Sequence, residues 1–205
     1  MTPTLTADPA PDARMDTAPI PPPQRLLHVG CGAAHPDKVP AAFFPRGAWQ
    51  EIRLDIDPSV APDILASITD MAVVPDASVD AVWSAHNLEH LRAHEVPRAL
   101  AEFLRVLRPG GFLLVTMPDL QQVAALVAEG RLEDPAYVSA LGPIAALDML
   151  YGFRPAIASG NDFMAHRTGF TAQSLTDHLT RAGFAEIRVQ RDGGFALWAS
   201  AQRPG

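Results

Sequence analysis

Cysteine is nearly absent from this 205-residue chain. Cys31 stands alone, so neither an intramolecular disulfide nor a cysteine-rich zinc site can be built. Lysine is as scarce: Lys38 is the only one among 16 basic residues, set against 23 acidic ones. The resulting formal charge of −7 argues against a grip on a phosphate backbone, so no nucleic-acid partner is expected. Long uncharged apolar runs are missing too. No stretch reaches the length needed to span a bilayer, and residues 1–24 lack the apolar core of a secretory leader. A cytoplasmic setting with no membrane partner is the expectation. No internal repeat is visible, and nothing in the pattern sets an oligomeric state.

Proline is plentiful but unevenly spread. Seven of the 20 prolines (Pro3, Pro9, Pro11, Pro19, Pro21, Pro22 and Pro23) fall in residues 1–24. Such a segment cannot bury enough surface to offset its ordering entropy and reads as a disordered tail. Residues 25–205, in a chain that is 48% hydrophobic, read as one domain with a sizeable core.

Within that domain, Arg25 to Gly30 reads as a buried strand and Trp49 to Asp57 as a second that ends in two acids. Pro36, Pro40 and Pro45 leave room for only one short helix between them. Val79 to Ala85 is a further strand. Val96, Leu100, Phe103, Leu104 and Leu107 recur at helical spacing, Arg108-Pro109-Gly110-Gly111 stops that helix, and Phe112 to Met117 is the next strand. Strand, helix, glycine stop and strand make a βαβ unit, hence a parallel sheet. Residues 120–168 are the least regular block, with helical character at Val123 to Val127 and Ile144 to Leu150. A helix over Ser174 to Ala182 carries Thr171 as N-cap and Gly183 as C-cap, and Ala185 to Arg191 with Phe195 to Ala201 reads as a closing hairpin.

Where a strand breaks into Gly30-Cys31-Gly32, backbone can approach a ligand closely. Asp55 ends the next strand, 23 residues beyond Gly32, where a carboxylate can accept both hydroxyls of a ribose. Two cofactor classes share this arrangement. A dinucleotide wants a third glycine opening a helix, and Ala33-Ala34-His35-Pro36 lacks it, whereas S-adenosylmethionine has no phosphate to seat.

The series LLHVGCG, LDID, VDAVWSAHNLEHL and RVLRPGGFLLVTMPD, with the terminal hairpin, resembles the class I S-adenosylmethionine-dependent methyltransferases, particularly small bacterial members with an LEHL motif. The resemblance covers Arg25 to Asp119. It implies a Rossmann-like, seven-stranded, mostly parallel α/β sheet with helices on both faces and a terminal antiparallel hairpin. It also implies S-adenosylmethionine as cofactor. Gly30, Cys31 and Gly32 would line its methionine part, Asp55 would hold the ribose with Asp57 assisting, and Ile56 would pack on adenine. The adenine amino group would meet Ser67 or Asp70, with Asp70 preferred and Met71 beside the ring. Ala85 and His86 would meet the sulfonium centre.

Methyl transfer is an in-line displacement at a carbon already activated by sulfur, so the enzyme aligns reactants, excludes water and, for some nucleophiles, removes a proton. Residues able to serve as base are His166, His86, Tyr151 and Asp119, with His166 first. The resemblance places a substrate lid at about residues 120–168, where Arg167, Asn161 and Arg154 would face a small polar or acidic molecule. Glu89 and His90 read as fixing a helix start, and Cys31 as a small residue that fits. His86 and His90 stand four apart, but no third ligand is evident and Glu89 does not make an HExxH pattern, so no metal is expected. The function expected is methylation of a small molecule, a sugar or secondary metabolite. An intramolecular displacement on the same cofactor, and a non-catalytic binding protein on the same fold, remain open alternatives.

Overall fold

The computed structural model describes residues 22–205. The expected tail falls outside the described residues, apart from Pro22 and Pro23, which precede the first strand, and Gln24, which begins it. The main sheet takes its strands from β1 (Gln24–Val29), β2 (Trp49–Asp55), β3 (Ile64–Leu65), β4 (Val79–Ala85), β5 (Leu107–Pro118), β8 (Ala185–Arg191) and β9 (Ala196–Gln202). The two intervening strands, β6 (Pro135–Ser139) and β7 (Gly142–Ala145), form a separate antiparallel hairpin.

Strand order is β3-β2-β1-β4-β5-β9-β8. The first five run parallel, and β9 enters antiparallel between β5 and β8. The order turns outward from β1 and β4 in opposite directions, so the carboxyl ends of those two strands flank the crevice where a ligand fits.

Side-chain alternation assigns the two faces. Leu27, Val29, Val82, Leu113, Val115, Leu197 and Ala199 point to one side. There they meet α1 (Val96–Val106) through Val96, Ala99, Leu100 and Phe103, and α5 (Ala172–Ala182) through Leu175 and Leu179. Spacings of three and four put each helix's apolar stripe on this face. α1 ends because Arg108 precedes a proline and disfavours helical backbone. Arg108-Pro109-Gly110-Gly111 then forms a bulge inside β5 rather than a loop before it, with Val79 opposite Leu107 and Ala81 opposite Phe112. α5 is capped as expected, Thr171 Oγ1 accepting from the Ser174 amide and Gly183 adopting φ 95°.

The other face is covered differently from expectation. Among the described residues it carries no helix from the β1–β2 connection. Residues 36–47 form only turns, because three prolines interrupt every stretch long enough to nucleate a helix. Phe44 packs there instead, edge-on to Trp49 at 5.2 Å and stacked on Phe112 at 5.7 Å, in a cluster with Leu26, Ala81, Trp83 and Leu114.

The irregular block 120–168 holds α2 (Leu120–Ala128), the β6–β7 hairpin, α3 (Ala146–Tyr151) and α4 (Arg154–Ala158). Val123, Leu126, Ile144, Ala146 and Met149 give it a small core of its own beside the carboxyl ends of the main sheet. Among the described residues, no helix is long and apolar enough to cross a membrane.

Candidate functional site

The site grows from the end of β1. Gly30 and Gly32 take φ of 59° and 58°, a left-handed region that costs any residue with a Cβ. At Gly30 space demands glycine as well, since a Cβ there would lie 2.4 Å from Asn87 Nδ2, whereas one on Gly32 would meet only the movable end of Lys38. Cys31, between them, is 1% exposed, and burial pushes its thiol up, consistent with a packing role rather than a reactive one.

Asp55 organises the loop from the end of β2. It is 9% exposed, and its two oxygens accept from the Gly32 amide at 2.7 Å and the Asp57 amide at 2.9 Å. Each carboxylate oxygen retains a lone pair, so the group can still take a hydroxyl. Arg53 locks the same turn from below, donating to Gly32 O at 2.6 Å and Val60 O at 3.0 Å. Asp57 caps the Pro58–Val60 turn through the Ser59 amide, and these hydrogen bonds hold its carboxyl below the usual value. Ile56 is 49% exposed beside Asp55, an apolar surface open to a flat ring.

β4 delivers the other wall. His86 follows it at φ 48°, its amide donating to Thr116 O at 2.9 Å, and its Nδ1 lies 3.3 Å from Glu89 Oε1. Glu89 is 1% exposed. Burial opposes charge on both partners, yet their hydrogen bond and mutual attraction win, raising the His86 pKa and lowering that of Glu89. Two further buried polar atoms here, Asn87 Nδ2 and Thr116 Oγ1, have no hydrogen-bond partner in the protein. Such groups cost free energy unless something supplies the missing bond.

A cavity of about 380 Å³ opens at the ends of β4 and β5, against the β6–β7 hairpin and the β8–β9 turn. Its walls include His86, Thr116, Tyr137, Asp148, Phe195 and Trp198. Tyr137 stacks on Phe195 with ring centroids 6.2 Å apart, and Trp198 stacks on Trp83 at 5.5 Å.

Several expected site residues lie elsewhere. Met71, expected beside adenine, is fully buried in the main core with its amide donating to Glu102. Asp70 is exposed and 3.9 Å from Arg98, while Ser67 and Asp70 close a tight turn after β3. Asp119 is 0% exposed. It caps α2, accepts from Gln122 and pairs with Arg191 at 2.9 Å, so its lone pairs are spent on structure. Arg154 embraces Asp148 at 2.8 and 3.2 Å, and Asn161 precedes a short exposed turn. Arg154 is thus already paired, and Asn161 lines neither of the two cavities near His166. Tyr151 and Arg167 line a second cavity of about 230 Å³, and His166 borders both cavities.

Other residues of the site carry weak sequence signals. Asn87 is betrayed only by the glycine opposite it, while Trp198 and Thr116 read as ordinary strand residues until the sheet is assembled. Glu89 reads as a helix-start residue, and only its burial beside His86 marks it out.

Residues 27–115 match the methyltransferase domain family, and they span the glycine turn, Asp55, His86 and Glu89. Over these residues, less than half of its length, the chain is similar to the methyltransferase domain family. The fold agrees. A S-adenosylmethionine-dependent methyltransferase from Archaeoglobus fulgidus superposes with TM-score 0.58 at 13% identity, covering 88% of this chain and 86% of that one. The 1,6-didemethyltoxoflavin-N1-methyltransferase of Burkholderia thailandensis gives 0.54 at 14% identity, covering 89% and 72%. A protein from Bordetella parapertussis described as a possible exported protein gives 0.56 at 14% identity over 89% of this chain, which spans only 63% of that longer one. No curated protein matches the chain in sequence. Within residues 27–115, the unpaired Asn87 amide and the lone pairs of Asp55 are polar groups that could meet a cofactor with an amino-acid end and a ribose.

Proposed function

We propose that this methyltransferase acts on a small, flat acceptor held in the cavity beside His86. The observation that carries the reading is the position of that cavity. It opens where β4 and β5 end, and β4 is also the neighbour of β1, whose end leads into the turn built by Gly30, Gly32 and Asp55. At about 380 Å³ it sits near the lower end of small-molecule pockets and has no room for a folded macromolecule.

S-Adenosylmethionine supplies the activated methyl group. Gly30 to Gly32 would give close approach to its amino-acid end, Asp55 would accept from its ribose, and Ile56 would offer an apolar surface to its base. The acceptor would displace the methyl group in line, with S-adenosylhomocysteine as the leaving group. Placement accounts for most of the acceleration in such a step.

The lining favours one acceptor class. Tyr137, Phe153, Phe195 and Trp198 line it with aromatic side chains, and Thr116 Oγ1 is a buried hydroxyl with its bond unmade. Asp148 is already paired with Arg154, and the cavity lining contains no lysine or arginine, only the histidines His86 and His166. A planar ring bearing a polar substituent suits these walls better than a sugar phosphate or an organic acid. The Burkholderia relative, solved with 1,6-didemethyltoxoflavin and S-adenosylhomocysteine bound, supports an acceptor of that size.

The test is incubation of the protein with methyl-labelled S-adenosylmethionine and a bacterial metabolite extract, followed by mass separation. Label is expected in molecules of low mass, and Phe195→Ala is expected to cut that signal while leaving S-adenosylhomocysteine binding within twofold. Label confined to protein or nucleic acid would refute the reading. Methylthioadenosine without any methylated product would show the intramolecular displacement instead.

A further inference from the structure

The turn after β4 and the segment before α5 meet in a cluster at the border of the acceptor cavity. We propose that Glu89, His90 and His166 form a binding site for one divalent transition metal ion of the zinc class. Their potential ligand atoms all lie within 4.8 Å of one another. The sequence shows His86 and His90 four residues apart without a third ligand. In the fold, Leu88–His90 is a single 3-10 turn, and the missing imidazole arrives from His166.

Three independent features point to a cation. The first is Glu89, whose Oε1 faces His86 while its Oε2 is buried and has no hydrogen-bond partner. An unpaired carboxylate oxygen on a side chain only 2% exposed is costly unless a positive group completes it. The second is His166. Its Nδ1 lies 2.9 Å from Met149 O, which fixes the proton there and leaves the Nε2 lone pair free, the orientation usual in metal-bound histidines. The third is His90, set between two carbonyls, with Nδ1 3.2 Å from Ala165 O and Nε2 3.0 Å from His86 O. A neutral ring can donate to only one of them, so its other nitrogen turns a lone pair toward an oxygen.

Two imidazoles and a carboxylate are a ligand set suited to zinc and its neighbours, with nitrogen and oxygen bonds of about 2.0–2.2 Å. Binding then draws the three donors inward by about 1 Å. The backbone already holds them in place: Glu89 O accepts from the Arg167 and Thr168 amides at 2.8 and 3.2 Å, and His166 N donates to Tyr151 O at 3.1 Å. Both Glu89 and His166 border the cavity of about 230 Å³ that Tyr151 and Arg167 also line. A fourth coordination position therefore opens to water or to an oxygen ligand. The ion would also clasp residues 146–166 to the turn after β4, where the cofactor's reacting end is proposed to lie.

The experiment uses the full chain, stripped with a chelator and titrated with Zn²⁺ by calorimetry and with Co²⁺ by visible absorption. One equivalent is expected to bind at micromolar concentration or below, with the strong visible bands of a four- or five-coordinate cobalt centre. His166→Ala and His90→Ala should each weaken binding at least 100-fold. His166→Cys should restore it and add a sulfur-to-cobalt charge-transfer band in the near ultraviolet, which a merely structural histidine would not produce. Zinc binding equally weak in the native chain and in a His90→Ala/His166→Ala double variant would overturn the site, as would a weak six-coordinate cobalt spectrum in the native chain. Neither outcome bears on S-adenosylhomocysteine binding, which tests the cofactor separately.

Discussion

Replacing Asp55 with asparagine separates the two duties of that side chain. Its oxygens accept from the Gly32 and Asp57 amides, and asparagine keeps the shape but substitutes an NH₂ for one oxygen. One of the two backbone N–H groups is then left facing another donor. A buried donor without a partner costs about 1–3 kcal/mol, which for a domain of this size lowers Tm by about 2–12 °C. The cofactor should suffer more. Hydrogen bonds from ribose hydroxyls to an ionised carboxylate are worth about 1.5–3 kcal/mol, so S-adenosylhomocysteine affinity should fall about 10- to 150-fold. Calorimetric titration with S-adenosylhomocysteine and with 5′-methylthioadenosine distinguishes the causes. The two ligands share the ribose but not the amino-acid end, so loss of the ribose bonds weakens both by the same factor. Distortion of the Gly30–Gly32 turn would weaken S-adenosylhomocysteine selectively. Native-like affinity in Asp55→Asn would refute the assignment of Asp55 to the ribose altogether.

Gly152→Ala tests the closure of residues 146–166: at φ 99° a Cβ there would lie 2.0 Å from the Met164 carbonyl oxygen. A loss of several kcal/mol, or detachment of the segment seen as faster amide exchange, is expected, and an unchanged urea midpoint would contradict the packing. Phe103→Ala removes a fully buried ring between α1 and the sheet and should cost about 3–5 kcal/mol in urea unfolding. Burial resists charging Asp148, but Arg154 and two backbone amides outweigh it and hold its carboxyl below the ordinary value. A group depressed in the folded state stabilises fully above its unfolded pKa of about 3.9, and that stability is lost as pH falls through the folded value. The Tm difference between the native chain and Asp148→Asn should therefore be largest near neutrality and shrink below about pH 4, and a constant difference from pH 7 to 3 would rule the linkage out.

Much of the sheet is legible because its strands and helices carry periodicity that nothing else imposes. Val79–Ala85, α1 and the closing hairpin fall almost where alternation and helical spacing put them. β3, only two residues long, and β6, a five-residue strand with none of its side chains buried, carry no such signal. The glycine turn and Asp55 are readable for a local reason: a positive φ and a strand-end acid leave marks on the residue types themselves. Met71 and Asp119 mislead because a side chain near a strand end can turn inward, and which way it turns depends on neighbours far away in sequence. The Glu89–His166 contact joins residues 77 apart and is visible only once the chain is folded.

β9 is the last strand in the chain yet lies inside the sheet, between β5 and β8. A nascent chain on the ribosome therefore completes β1 to β5 with Leu113, Val115 and Met117 beside an open edge, and must wait for Ala196–Gln202 before that edge is paired. During that interval the domain presents an unpaired apolar strand to its surroundings, the situation in which chaperones are engaged and aggregates start. Release of residues 196–202 from the exit tunnel, rather than synthesis of the glycine turn, sets the earliest moment at which the sheet can close.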